Sequence, residues 1–273
     1  MQIDLTDEQA GAYREALRLL TAADVPFIVS GGFAIHYYTG IWRYTKDLDI
    51  FLRPADRDTA LNALATAGYR TEIVVEHWLA KAFTGDMMVD LITGFGNGLI
   101  TVDDGWLERA APIDLLGIET RVVSVTDLIW AKSYVAGRER FDGADIVHLI
   151  YRATDRIDWQ HLATHFDAHW ELLASYLLLY RFVYPEARDH VPDWLMEHIG
   201  RRLLADTHDP VPSDLPFRGP LLDRYAYLVD VEEWGLPDPR EAVAHERDIS
   251  VADVREERAA DSERYDHGRG DFD

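Results

Sequence analysis

Two segments among the first 70 residues carry apolar side chains at helical spacing. The first predicts a helix over residues 7–23, and Thr6 with Gln9 three positions later has the spacing of a capping box at its start. The second predicts a helix from Pro54, whose missing N–H costs nothing at a helix start, to Gly68. The apolar positions are Tyr13, Ala16, Leu17, Leu19 and Leu20 in the first segment and Ala60, Leu61, Leu64 and Ala65 in the second.

Short apolar segments bounded by turn residues predict β-strands around these helices. The predicted strands read VPFIVS, LDIFLR, YRTEIVV, HWLAKAF, MMVDLIT and GIETRVVS, and the stretch GGFAIHYYTG is expected to form a strand–turn–helix junction. Ser124 and Asp127 have capping-box spacing and predict a helix that carries Ile129, Trp130 and Lys132. This order of elements predicts an α/β (α+β) domain, a mixed sheet flanked by helices.

After Tyr151 the pattern changes to apolar-rich helical segments. One long helix is predicted for WQHLATHFDAHWELLASYLLLYRFVY, a second for PDWLMEHIGRRLLA and a third for LLDRYAYLVDVEEWG, with a proline-rich loop, HDPVPSDLPFRGP, before the third. From His245 the chain is dense in charge and poor in large apolar groups, which predicts a mobile tail or a weakly held helix. We expect an α/β domain over residues 1–153, an all-helical domain over 154–244 and an acidic tail over 245–273.

Length and composition restrict the class of protein. The chain has 273 residues, 48% of them apolar, which is enough for one large domain or two ordinary ones. It has no run of 18 apolar residues, so no membrane span is expected, and its acidic start does not resemble a signal peptide. The absence of cysteine excludes disulfides and thiolate metal sites and fits a cytoplasmic protein.

The charge is strongly negative. A formal charge of −22 opposes non-specific contact with a nucleic-acid backbone, although a local basic patch remains compatible with it. Lys46, Lys81 and Lys132 are the only lysines among 27 basic residues. This composition fits a protein from a salt-rich cytoplasm, and it fits equally an acidic protein from a GC-rich genome.

Three aspartates stand in predicted strands. Asp47 and Asp49 alternate with Leu48 and Ile50, so both carboxylates are expected on one face of their strand. Two neighbouring carboxylates repel unless a cation lies between them, and Mg²⁺ is the usual ion where phosphates supply further ligands. Asp90 lies mid-strand in DMMVDLIT, where an acid is explained if its strand neighbours the first. Three such aspartates can hold two metal ions.

A glycine pair precedes these acids. Ser30-Gly31-Gly32 ends a buried strand and begins a helix, where glycine lets a ligand approach the backbone and the free N–H groups favour a phosphate. Alone, the glycine pair would indicate a simple tight turn at least as well as a phosphate-binding loop. Its position before Asp-x-Asp is what favours a phosphate site, because metal and phosphate sites then lie together.

The stretch VSGGFAIHYYTGIWRYTKDLDIFL, with Asp90 on a later strand, resembles the DNA polymerase beta-like nucleotidyltransferase superfamily. Within that superfamily the chain is similar to microbial nucleotidyltransferases akin to antibiotic-modifying enzymes and abortive-infection toxins. The resemblance covers roughly residues 10–150 and implies a nucleotidyltransferase fold whose catalytic domain is residues 1–153.

The resemblance also implies roles for individual residues. Ser30, Gly31 and Gly32 would bind the nucleotide phosphates. Asp47 and Asp49 would bind Mg²⁺ or Mn²⁺, and Asp90 would complete the metal site and help to deprotonate the acceptor hydroxyl. The segment SVTDLIWAKSYV resembles the helix whose lysine, here Lys132, faces the triphosphate. Asp142 and Asp145 match a following Lys-Asp-x-x-Asp pattern in which Phe141 replaces the lysine.

Several neighbouring side chains allow a structural role as readily as a functional one. Arg43 and Thr45 share the face of Asp47 and could contact a phosphate. Lys81 is a weaker candidate for the site, and alternation turns Lys46 away from Asp47. On the predicted long helix, His161, His165 and His169 recur every four residues, a spacing that allows a zinc pair, but no acid or cysteine obviously completes the set.

The resulting functional prediction is transfer of a nucleoside monophosphate from an NTP, with ATP as the expected donor, to an acceptor hydroxyl. Pyrophosphate would be released, and the helical region would shape the acceptor pocket. The negative charge favours a small-molecule acceptor over RNA, and a protein acceptor is the third alternative. Two rival functions use the same fold: a catalytically idle nucleotide-binding or antitoxin-like module, and a metal-dependent phosphohydrolase.

Overall fold

The structure is a computed structural model, and it describes residues 4–43, 45, 47–137, 140–208 and 217–251. The chain divides into two compact units. We call residues 2–33, 43–123 and 240–273, as far as they are described, the sheet unit, and residues 34–42 and 124–239 the helical unit. The predicted domain boundaries at residues 153 and 244 remain predictions.

The described part of the sheet unit contains a mixed sheet of seven strands in the order β3-β4-β5-β2-β1-β7-β6. The β2–β5 and β1–β7 pairs are parallel, and the other pairs are antiparallel. The strands are β1 (Ile28–Val29), β2 (Asp47–Phe51), β3 (Arg70–Val75), β4 (Leu79–Thr84), β5 (Met87–Ile92), β6 (Ala111–Leu115) and β7 (Ile118–Val122). The predicted α/β fold class is confirmed.

Helices accompany the sheet within this unit. They are α1 (Asp7–Ala22), α3 (Arg57–Thr66), α4 (Asp104–Arg109) and α11 (Pro239–Arg247), and α2 (Gly31–Thr39) begins here and continues into the helical unit. The predicted capping box of α1 is present, because Thr6 Oγ1 accepts from the Gln9 N–H and Gln9 Oε1 accepts from the Thr6 N–H, both at 3.1 Å. Tyr13, Ala16, Leu17 and Leu20 of α1 are completely buried, as the spacing predicts, whereas Leu19 is half-buried.

The helical unit is built from α5 (Val125–Ser133), α6 (Gly143–Ala153), α7 (Trp159–His165), α8 (Trp170–Val183), α9 (Asp193–His208) and α10 (Leu228–Glu232). Ser124 caps α5, its hydroxyl accepting from the Asp127 N–H at 3.1 Å. The large fully buried side chains of this unit include Phe166 and Tyr180. No helix in the described ranges has both the length and the apolar character needed to cross a membrane.

The prediction of one continuous long helix after Tyr151 is wrong. The segment is divided into α7 and α8, with a short 3₁₀ turn at Asp167–His169 between them. Phe166 at the division is completely buried, and its N–H bonds back to the carbonyls of Leu162 and Thr164. The break lets Phe166 and the apolar face of α8 both reach the interior, which hydrophobic spacing alone does not reveal.

Other predictions near the ends of elements also change. The third predicted C-terminal helix is reduced to the five residues of α10, and α4 and β6 are elements that the sequence pattern did not reveal. Residues 245–247 complete α11, whereas most of the predicted tail, residues 252–273, lies outside the described residues. Residues 209–216 of the predicted proline-rich loop lie outside them as well.

Candidate active site

Strand β2 presents two carboxylates on one face. Asp47 and Asp49 are partly exposed, whereas the alternating Leu48 and Ile50 are completely buried. The side chains of a strand point alternately to opposite faces of the sheet, so the buried pair packs into the interior and the acidic pair lies together on the opposite face. The predicted orientation of this strand is confirmed.

The third aspartate joins them through the sheet register. β5 runs parallel to β2, and Asp90 is the direct partner of Asp49, while Leu48 pairs with Val89. Residues directly opposite each other on neighbouring strands project from the same face. The two strands therefore bring the carboxylates of Asp47, Asp49 and Asp90 to one face of the sheet, with Asp90 the most buried of the three.

A lysine shares this face. On the other side of β5, Lys81 of β4 is the direct antiparallel partner of Asp90. Its Nζ lies 2.8 Å from Oδ1 and 3.0 Å from Oδ2 of Asp90, and both side chains are about seven-eighths buried. Sequence reasoning ranked Lys81 as a weak candidate, because its position opposite Asp90 depends on the register of the β4–β5 hairpin.

Thr45 positions the first carboxylate. Its hydroxyl lies 2.6 Å from Oδ1 of Asp47 and 3.1 Å from the Asp47 carbonyl oxygen. A hydroxyl has one proton to donate, and the shorter contact to the charged oxygen is the stronger hydrogen bond. Thr45 therefore fixes the Asp47 side chain, and any contact between Thr45 and a phosphate remains a prediction.

Gly31 is required by the acidic strand itself. Its backbone has φ of +56°, and a Cβ placed on it would lie 1.6 Å from Oδ2 of Asp49. The preceding Ser30 is buried, and its N–H donates to the Asp49 carbonyl oxygen at 2.9 Å, which ties the start of α2 to β2. The Asp49 carboxylate thus lies directly against the first residue of α2.

Gly32 stands in a different situation. Its φ is not in the left-handed region, and an added Cβ would meet the nearest atom, the Thr45 Cβ, at 3.6 Å, an ordinary van der Waals contact. A methyl group therefore fits, so neither local packing nor backbone conformation explains the glycine. Arg43 is exposed just before β2. The phosphate contacts predicted for Gly32 and Arg43 remain predictions, and Lys46 lies outside the described residues.

Lys132 belongs to the helical unit, where it is part of a buried ionic group. Its Nζ lies 2.8 Å from Oδ2 of Asp142 and 2.9 Å from Oδ2 of Asp145. Burial raises the pKa of Asp142, but the charges of Lys132 and Arg140 outweigh it, so the pKa lies below its ordinary value. The structure therefore shows an ionic link between α5 and α6, and the triphosphate contact predicted for Lys132 remains a prediction.

The histidine series of the sequence separates into two sets. His165 Nε2 lies 3.3 Å and His161 Nε2 3.8 Å from Oδ1 of Asp127, whereas Nδ1 of His169 bonds the Tyr134 hydroxyl at 2.7 Å. Burial, reinforced by the nearby charge of Arg218, lowers the pKa of His169, so its ring is neutral at neutral pH. The expectation that no acid completes the set was wrong, because Asp127 arrives from a helix more than thirty residues earlier.

Comparison with protein families gives a match over most of the chain. A family model described as "Uncharacterised nucleotidyltransferase" matches residues 4–183. These residues include the glycine pair, all three aspartates and Lys132. Comparison with curated protein sequences gave no match.

Solved structures that are similar to this chain include the following three. The antibiotic-resistance factor ANT(2'')-Ia in solution is 15% identical, the match covering 68% of this chain and 98% of that one, with a TM-score of 0.43. The lincomycin-bound lincosamide antibiotic adenylyltransferase LnuA is 14% identical over 53% of this chain and 96% of that one, at 0.39. The Megavirus polyadenylate synthase is 14% identical, and the match covers 54% of this chain and 33% of that one with a TM-score of 0.37.

The family assignment rests on the match of the family model, which spans well over half of the 273 residues. It confirms the resemblance seen in the sequence at the level of the nucleotidyltransferases. The chain therefore belongs to this family, and the protein is a nucleotidyltransferase.

Proposed function

We propose that the protein transfers a nucleoside monophosphate from an NTP to a hydroxyl group of a small-molecule acceptor and releases pyrophosphate. The acceptor oxygen forms a bond to the α-phosphorus while the bond from the α-phosphorus to the bridging oxygen of the leaving pyrophosphate breaks. The acceptor hydroxyl gives up its proton in the same reaction. ATP is the proposed donor and the first NTP to test.

The observation that carries this proposal is the pairing of Asp49 with Asp90 across two parallel strands, with Asp47 two residues before Asp49 on the same face. A set of three carboxylates supplies hard oxygen ligands, the donors that Mg²⁺ and Mn²⁺ prefer. The donor set therefore fits the expected ion, with Asp47, Asp49 and Asp90 as its proposed ligands. When bound, the ion would neutralise charge on the phosphates and on the reacting oxygens.

The start of α2 is the proposed phosphate site. Its nine residues begin at Gly31, directly beside the Asp49 carboxylate, and the free N–H groups at a helix N-terminus favour an anion. Gly32 lacks a packing reason to be glycine, which fits a backbone position that a phosphate approaches closely. Ser30 holds the turn through its N–H bond to the Asp49 carbonyl.

Asp90 and Lys81 give the site an internal charge balance. Lys81 contacts both oxygens of Asp90, so a cation that shares Asp90 competes with the ammonium for those oxygens. In the proposed reaction Asp90 helps to accept the proton of the acceptor hydroxyl, and Lys81 orients its carboxylate through contacts with both oxygens. Thr45 performs the orienting task for Asp47.

The proposed acceptor class follows from charge. At −22, the protein repels the phosphate backbone of RNA at moderate ionic strength, which favours a small hydroxylated molecule. Incubating the protein with α-labelled NTPs, Mg²⁺ and cell extract, then separating small molecules, RNA and proteins, identifies the fraction that carries the label. Label in RNA or in proteins would contradict the acceptor assignment but leave the transferase assignment intact.

A matched pair of variants tests the site. We expect Asp49→Asn to abolish label transfer and pyrophosphate release, because it removes a proposed metal ligand without changing side-chain shape. Asp86→Asn, in the exposed turn between β4 and β5, makes the same chemical change away from the three aspartates and should keep full activity. Release of inorganic phosphate without pyrophosphate would indicate a phosphohydrolase. NTP binding without turnover by the wild type, under any acceptor condition, would indicate an idle binding module.

A further inference from the structure

A second group of metal-binding side chains lies within the helical unit. Asp127 at the start of α5 faces His161 and His165 of α7, and the three offer ligand atoms that all lie within 4.8 Å of one another. It is the one such group of three found among the residues that the structure describes. One carboxylate and two imidazoles make this group chemically different from the all-carboxylate set on the sheet.

The distances suit a tetrahedral ion. Two ligands bound to zinc at about 2.0–2.1 Å in tetrahedral geometry are separated by about 3.4 Å. The observed separations from Asp127 Oδ1 are 3.3 Å to His165 Nε2 and 3.8 Å to His161 Nε2. Small side-chain adjustments would bring all three atoms to one ion.

The residues around the group orient its ligands. The Ser124 hydroxyl donates to Oδ2 of Asp127 at 2.6 Å, which leaves Oδ1 directed at the two imidazoles. The Trp130 ring stacks on His165 with centroids 3.8 Å apart and planes 7° from parallel, which fixes the plane of that imidazole. Supports of this kind around metal ligands set their orientation and affinity.

Burial gives the group one open side. Asp127 is completely buried, His165 is 15% exposed and His161 is 30% exposed. An ion and a water ligand can therefore reach the group past His161. One imidazole would suffice as an ionic partner for Asp127, whereas two histidines four residues apart on a helix, directed at one carboxylate oxygen, form a recurrent zinc-binding arrangement.

We propose that Asp127, His161 and His165 bind a transition-metal ion, with Zn²⁺ the favoured species and water as the fourth ligand. Neutral imidazole with one carboxylate is a donor set that selects Zn²⁺ or Co²⁺ over Mg²⁺. The ion would link α5 to α7 and so brace the helix that carries Lys132. This site is separate from the carboxylate site proposed for nucleotidyl transfer, and it stands or falls independently of that proposal.

Co²⁺ is the probe, because its visible absorption reports the geometry and the nitrogen ligands of the ion. The untagged, metal-free full chain is titrated with Co²⁺ in the presence of millimolar Mg²⁺, which saturates sites built from carboxylates alone. We expect one equivalent to bind with the intense bands of four-coordinate Co²⁺, and one equivalent of Zn²⁺ to displace it and raise the Tm.

Variants assign the ligands. His161→Ala and Asp127→Asn should abolish the four-coordinate spectrum, and Ser124→Ala should weaken binding by about 10–100-fold, the usual cost of losing an orienting partner. His169→Ala is the matched control, because this histidine has the same four-residue spacing but bonds Tyr134. It should bind the ion as the wild type does.

The absence of saturable binding by the wild type or unchanged binding by His161→Ala would overturn the proposal. So would loss of binding in Asp49→Asn, which would place the ion on the sheet. X-ray absorption of the zinc-loaded wild type covers the case in which a variant fails to fold. Two imidazoles per zinc are expected, and a spectrum with fewer would contradict the assignment. Failure here leaves the transfer assay, and so the proposed function, unaffected.

Discussion

At the scale of single residues, the two adjacent glycines show how differently one residue type can be used. Gly31 is fixed by a positive φ and by the Asp49 carboxylate, whereas Gly32 has room for a methyl group and an ordinary backbone. The sequence presents them as equals in one motif. The structure separates a glycine that the fold needs from a glycine that neither packing nor backbone conformation requires.

This difference predicts opposite behaviour of two alanine variants. Gly31→Ala should lower the free energy of unfolding by more than about 2 kcal/mol, since the left-handed conformation alone costs roughly 1–2 kcal/mol and the Asp49 carboxylate must also move. Gly32→Ala should change it by less than about 1 kcal/mol, because alanine favours a helix. Denaturant unfolding measures both.

The effect of Gly32→Ala should appear in nucleotide binding and not in stability. We expect Gly32→Ala to weaken NTP binding, measured by calorimetry with Mg²⁺ and a non-hydrolysable analogue, although its stability is kept. Wild-type affinity in Gly32→Ala would show that no phosphate approaches this backbone position, and the phosphate site would have to be sought elsewhere.

The residue scale also shows what sequence reasoning could not find. Asp127 was recognised as a helix-capping residue, and it does bond the capping Ser124. Its second role, opposite His161 and His165, depends on how α7 packs against α5. Periodicity predicts which face of one helix is polar, but it does not state which distant side chain meets that face.

At the scale of elements, strand register decides the candidate site. Alternation along β2 was sufficient to predict that Asp47 and Asp49 share a face, because this depends on one strand alone. The pairing of Asp49 with Asp90 and of Asp90 with Lys81 needs the order of strands in the sheet. The acid in the middle of a predicted strand suggested that the strand of Asp90 neighbours that of Asp49, whereas no feature of the sequence predicted the pairing of Asp90 with Lys81.

Element boundaries followed the same rule. Helices with a cap and a clear apolar face, such as α1, were predicted to within a residue or two. The short strand β6, which contains Pro112, and the six-residue helix α4 were missed because each is too short to show a clear period. The break between α7 and α8 was missed because the helical spacing of apolar residues continues through Phe166, although the helical backbone ends there.

The Lys81–Asp90 pair predicts a stability effect that Mg²⁺ should relieve. Lys81→Met should lower the free energy of unfolding by about 3 kcal/mol in metal-free buffer, because it leaves a mostly buried carboxylate without its cation. Millimolar Mg²⁺ should raise the Tm of this variant more than that of the wild type, since Asp90 is then available to the ion.

A matched control separates this effect from ordinary charge removal. Arg18→Met removes a basic residue from an exposed pair with Glu15 on α1 and should lower the free energy of unfolding far less than Lys81→Met does, with no added response to Mg²⁺. Equal Mg²⁺ responses of the wild type and Lys81→Met would show that the ion does not use Asp90.

The ionic link between α5 and α6 predicts that the stability of the folded protein depends on pH. The pKa of Asp142 is lower in the folded protein than in the unfolded chain, so its ionic bonds contribute stability above the unfolded value of about 4, and this contribution is lost as pH falls through the folded pKa. At neutral pH Asp142→Asn should cost about 2 kcal/mol. The difference from the wild type should shrink below about pH 4.

Urea unfolding of both proteins between pH 7 and pH 3 measures this difference. Asp86→Asn, at an exposed turn, controls for the loss of one negative charge from the whole molecule. A difference between the wild type and Asp142→Asn that stays constant over the range, or grows as pH falls, would contradict the ionic link of Lys132 with Asp142.

At the scale of the whole molecule, net charge is the dominant property. Repulsion within a net charge of −22 destabilises the folded state. Salt screens this repulsion, because the Debye length falls from about 30 Å at 0.01 M to about 3 Å at 1 M. The Tm should therefore rise with KCl over that range. A Tm that falls with salt would show that specific surface ion pairs outweigh the net repulsion.

The central claim is that Asp47, Asp49 and Asp90 hold the divalent ions of nucleotidyl transfer, and anomalous scattering from Mn²⁺ tests it most directly. Crystals grown with Mn²⁺ and an NTP analogue whose α–β bridge is not cleaved should show manganese bound to oxygens of these three aspartates and of the triphosphate. Manganese and nucleotide bound away from this face of the sheet, with the three carboxylates uncoordinated, would contradict the account.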